Sequence, residues 1–97
     1  MTTTHVEVRP GAYADSVTLL RVSRTAQQLD GVVAAQVAMA TPLNVEVLTG
    51  MGFTVPAGTG ANDLVVALRL TGDDARSAAV AGVDRALAEA NRPAPGG

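Results

Sequence analysis

The sequence predicts a small α+β domain: a ferredoxin-like, split βαβ sandwich of three main strands with helices on one face, in the order strand, helix, strand, short helix, strand, helix. Three observations predict it. Residues 5–9 and 64–70 carry apolar side chains at every second position, the period of a strand. Residues 15–29 and 74–90 carry them at helical spacing. Finally, 97 residues supply too few helices to cover both faces of a parallel sheet, which argues against a small parallel three-layer α/β unit. In the preferred arrangement a fourth strand is missing or supplied by a neighbour.

Met1 to Thr4 reads as a loose end, followed by a strand from His5 to Arg9 with Val6 and Val8 on one face and His5, Glu7 and Arg9 on the other. Pro10-Gly11 turns the chain. Asp15 or Ser16 caps a helix running to about Leu29, whose stripe is Leu19, Val22, Ala26 and Leu29, and Asp30-Gly31 ends it. Residues 32–39 are apolar on both faces except at Gln36, the pattern of a central strand or of one whose outer face meets another chain. Thr41 caps and Pro42 opens a short helix to about Thr49. The run from Gly50 to Asn62 reads as a loop anchored by Met51, Phe53 and Val55. A third strand spans Leu64 to Leu70. The last helix runs from about Asp74 to Ala90, with Val80, Val83, Leu87 and Ala90 on one stripe. The domain therefore covers residues 1–91, and the Pro- and Gly-rich residues 92–97 read as a linker-like tail leading from a module of something longer.

A net charge of −2, without a basic cluster or an aromatic platform, argues against nucleic acid as a partner. The chain has no cysteine, which excludes disulfide scaffolds and Cys-containing zinc frameworks. The apolar runs are too short to cross a bilayer and the first residues do not form a signal peptide, so a cytoplasmic protein is expected. One tyrosine, one phenylalanine and no tryptophan leave a core of alanine, valine and leucine. Such a core buries little area per side chain, at about 25 cal/mol per Å2, so the domain is expected to be marginally stable alone or to bury surface against another chain.

His5 is the only histidine and cannot form a multi-histidine metal centre; it reads as a surface side chain. Ser16 and Ser23 read as capping or helix-surface hydroxyls. Gly58-Thr59-Gly60 cannot be a P-loop, because the chain has no lysine, and a strand rather than a helix follows it. No catalytic residue, metal ligand or cofactor site is expected. The best ligand candidate is the helix start at Thr41 and Asn44, where free amides and two polar side chains could receive an anion, although a plain helix cap explains the same residues. Val32, Ala34, Ala38 and Phe53 are the candidate interface residues, since small apolar side chains on an open strand allow close approach.

The spaced motifs Asp15-Ser16, Leu19, Ser23-Arg24, Val37, Thr41-Pro42, Asn44, Leu48, Gly52-Phe53, Asn62-Asp63 and Ala67 resemble the N-terminal region of FdrA proteins over about residues 6–70. The resemblance implies a module joined to domains similar to succinyl-CoA synthetase, hence the label acyl-CoA synthetase. It also implies a place in allantoin catabolism, with partner subunits that carry out oxamate carbamoyltransfer, the phosphorolysis of oxalurate to oxamate and carbamoyl phosphate. The ligase-like domains have no counterpart in these 97 residues, so none of their catalytic residues carries over, and His5 matches no family motif. The expected role is a non-catalytic accessory or assembly domain that forms homo-oligomers or binds other FdrA domains and carbamoyltransferase subunits. A small-anion-binding regulatory module of ACT type, using Thr41 and Asn44, is the alternative. A third reading lets the domain lend one wall to a carbamoyltransferase site.

Overall fold

The computed structural model of the chain describes residues 2–12 and 14–90; the expected linker at 92–97 lies outside the described residues. The elements are β1 (Thr3–Arg9), α1 (Ser16–Gln27), β2 (Val32–Met39), α2 (Pro42–Gly50), β3 (Leu64–Leu70), a 3-10 turn (Asp73–Ala75) and α3 (Arg76–Ala90). The three strands form one antiparallel sheet in the order β1-β3-β2, the split βαβ arrangement the sequence predicts.

β3 lies in the middle because it is apolar on both faces. Leu64, Val66, Leu68 and Leu70 pack with Leu19, Val22 and Ala26 of α1 and with Ala79, Val83 and Leu87 of α3. Val65 and Ala67 face the other way and pack with Leu48 of α2 and with Phe53 of the following loop. The two long helices thus share one face, while the short helix and the loop cover part of the other. The loop is anchored as its hydrophobes predict, with Phe53 buried and Met51 and Val55 packed against it.

Two sequence expectations are corrected. The start of the chain is ordered into the sheet from Thr3, because Thr3 and Thr4 pair with Leu70 and Arg69 and let β1 match the full length of β3. Of the two readings of the run 32–39, the central strand is excluded: β2 is an edge strand, paired on one side to β3. Its apolar character serves helix packing on one face and the approach of α2 on the other.

β1 is the opposite edge. Its odd-numbered side chains are polar and form a row: His5 Nε2 lies 3.3 Å from Glu7 Oε1, Arg9 Nε donates to Glu7 Oε2 at 2.6 Å, and Arg9 Nη2 donates to Asp84 of α3. This row ties the edge strand to α3 without an apolar contact. Burial pushes the Glu7 carboxyl up, but hydrogen bonds and charge from Arg9 and His5 outweigh it and hold Glu7 below the ordinary carboxylate range.

Candidate functional site

Of the side chains singled out from the sequence, Thr41, Asn44 and Ala38 lie at the outer edge of β2 or its end. Thr41 caps α2 as predicted, its hydroxyl accepting from the Asn44 amide at 3.3 Å, with Pro42 in the first turn. Asn44 turns back to the sheet and donates from Nδ2 to the Met39 carbonyl at 2.8 Å. The polar atoms proposed for an anion are therefore engaged in holding α2 against the end of β2.

From the other side, α1 reaches the same edge. Ser23, expected on the helix surface, is buried: its hydroxyl accepts from the Val37 amide at 2.9 Å and donates to the Val37 carbonyl at 3.2 Å. One turn further on, Gln27 Nε2 donates to the Ala35 carbonyl at 3.0 Å. The outward carbonyls of Ala35, Val37 and Met39 and the outward amide of Val37 are thus bonded to side chains from two helices. A strand whose edge acceptors are engaged in this way offers a poorer ladder to another strand.

What remains at this edge is a groove of about 210 Å3 between α1 and α2, lined among others by Ser16, Leu20, Gln36, Ala38 and Asn44. Leu20 of α1 lines it and is 60% exposed; on the same two helices Val17 of α1 is 66% exposed, and Leu43 and Val47 of α2 are 68% and 46% exposed. Scattered exposed hydrophobes are ordinary, whereas four of them on the two helices that line one groove point to a contact surface. Among the residues expected at an interface, Ala38 lines this groove and is itself buried, Val32 and Ala34 are half-buried on β2, and Phe53 is buried at 2% exposure in the second cluster. These exposed residues carried a sequence signal of their own: Val17 and Leu20 fall off the Leu19-Val22-Ala26 stripe, and Leu43 and Val47 fall off the side of α2 that buries Leu48.

Comparison with known proteins adds the family. A profile described as "AllF, heavy metal-associated domain" matches residues 1–97. The chain belongs to this family. A curated relative, the uncharacterized protein YahF of Escherichia coli (strain K12), is 45% identical over 51 residues, which is 53% of this chain and 10% of that protein. The match therefore spans a small part of the relative's length. No solved structure matches.

The metal in the family's description does not transfer to these residues. Soft and borderline metals need thiolate or clustered imidazole donors, and this chain has no cysteine and a single histidine. His5 is paired with Glu7, and no group of three or more His, Cys, Asp or Glu residues converges among the described residues. Among them, too, no helix is long and apolar enough to cross a membrane.

Proposed function

We propose that this member of the AllF family is a non-catalytic docking module of an FdrA-like assembly associated with oxamate carbamoyltransfer or acyl-CoA synthetase-like chemistry. It presents the α1–β2–α2 groove to ligase-like domains or carbamoyltransferase subunits. The observation that carries the reading is the set of four exposed apolar side chains, Val17, Leu20, Leu43 and Val47, on the two helices that line that groove, with Leu20 in the groove itself. Exposed apolar side chains beside a polar lining of Ser23, Gln36 and Asn44, the first and last hydrogen-bonded, resemble the apolar core and specific polar contacts of protein interfaces. The FdrA resemblance supplies the class of partner.

The test mixes the chain with FdrA-type ligase-like domains and with carbamoyltransferase subunits and follows complex formation by sedimentation. Binding is expected, and the double variant Leu20→Glu/Leu43→Glu should abolish it while melting as the wild type does, since both side chains already face solvent. No complex with any of these chains, or a complex indifferent to the double variant, removes the reading. Calorimetry with oxamate, oxalurate, phosphate and carbamoyl phosphate should give no heat; heat that disappears in Asn44→Ala would favour the anion-binding module instead.

A further inference from the structure

The two borders of the sheet are built differently. On β2 the amide and carbonyl of Val37 both bond to Ser23, so they point away from β3. Hydrogen bonds alternate along an antiparallel ladder, so the even-numbered residues of β2 face β3, as the bond from the Ala40 amide to the Asp63 carbonyl at 2.9 Å confirms. The odd-numbered backbone groups of β3 then face β2, and those of Leu64, Val66, Leu68 and Leu70 face β1. Their register partners are Arg9, Glu7, His5 and Thr3. The N–H and C=O groups of Thr4, Val6 and Val8 therefore point outward. Among the described residues no strand pairs with this border and no side chain caps it.

We infer that β1 is the self-association strand of this protein, pairing antiparallel with β1 of a second copy about a two-fold axis through Val6, so that two three-stranded sheets become one continuous sheet. The sequence of the strand is self-complementary in this register. Val6 meets Val6 of the second copy, Thr4 meets Val8, His5 meets Glu7 and Thr3 meets Arg9. Every outward backbone group then finds a partner, His5 lies opposite the Glu7 carboxylate and Arg9 opposite the neutral Thr3 hydroxyl, and the half-buried Val6 and Val8 are flanked by Val6 and Thr4 of the second copy.

Neighbouring registers do worse. Centring the axis on Val8 brings Pro10, which has no amide donor, into the ladder opposite Val6. Centring it on Thr4 sets Val6 opposite Thr2 and His5 opposite Thr3, which forfeits both the valine pair and the His5–Glu7 pairing. The pairing uses the border opposite the α1–β2–α2 groove, so it stands or falls separately from the docking role of that groove.

Sedimentation equilibrium of the full chain from about 10 to about 500 μM should show a monomer–dimer equilibrium. Val6→Pro removes an outward amide while leaving the bonds to β3 in place, as an edge strand tolerates, and should weaken the dimer by about tenfold or more. His5→Glu should weaken it too, by setting two carboxylates opposite each other. Mixing the His5→Glu chain with a Glu7→Lys chain should restore a heterodimer, which folding defects alone could not do. A strictly monomeric wild type, a dimer unaffected by Val6→Pro, or a dimer lost in Leu20→Glu/Leu43→Glu instead would each overturn the inference.

Discussion

At the scale of single residues, the fold depends on a few polar side chains that bond to backbone the ladder leaves free. Ser23 is the clearest. It satisfies both the donor and the acceptor of Val37 from inside the core, at 4% exposure. Ser23→Ala leaves that amide buried and unpaired, so a loss of about 1–3 kcal/mol in urea unfolding is expected. Arg69 plays a comparable part on the other face, where its Nη2 donates to the Met51 carbonyl at 2.8 Å and its guanidinium lies 5.1 Å from the centre of the Phe53 ring. Gly52 sits between these contacts with φ +93°, and a Cβ there would fall 2.8 Å from Arg69 Nη2. Gly52→Ala therefore combines an unfavourable backbone angle with displacement of Arg69. It should cost about 1–3 kcal/mol, with faster proteolysis of the 51–60 loop than in the wild type.

At the scale of elements, α2 and β1 are the two that local sequence alone holds weakly. α2 has nine residues, buries only Leu48, and stands on its Thr41 cap and on the Asn44 bond to Met39. An isolated helix of that length is not stable in water, so tertiary contacts and the cap must hold it. Thr41→Ala is expected to cost about 1 kcal/mol in thermal or urea unfolding and to raise amide exchange selectively in residues 42–48. For β1 the relevant row is His5, Glu7, Arg9 and Asp84. Because the folded carboxyl of Glu7 sits below its ordinary value of 4.5, both folded and unfolded states are ionised above that pH and the stabilisation is fully present there. Below it the unfolded chain takes up the proton first, and stability drains until the folded group protonates as well. Unfolding midpoints should therefore fall with acid below about pH 4.5 more steeply in the wild type than in Glu7→Gln.

At the scale of the whole molecule, the sheet is asymmetric among the described residues: on one border side chains of two helices bond to the backbone of β2, and on the other the outward backbone of β1 has no side-chain partner. Strand periodicity was enough to find β1 and β3, and the Asp15, Thr41-Pro42 and Gly31 signals placed the helix ends within a residue or two. Those signals are local, since they depend on alternation along the chain and on unpaired amides at a helix start. The position of each strand in the sheet was not local. Residues 32–39 and 64–70 are both apolar on two faces, and only the pairing of β3 with both neighbours reveals which is central. The candidate site was legible in part: Asn44 and Ala38 belong to the β2 groove, while Phe53 is buried in the other cluster.

The sequence by itself determined the element order, the Thr41 cap, the apolar stripes of the long helices and the absence of thiolate chemistry, because each is written in the spacing or presence of residue types. Only the tertiary structure decided which strand is central, that Ser23 and Gln27 bond to the outer edge of β2, and that Val17, Leu20, Leu43 and Val47 stay exposed on the two helices that line one groove. Those outcomes depend on which distant segments meet, and a side chain's exposure is fixed by what packs against it rather than by its own identity.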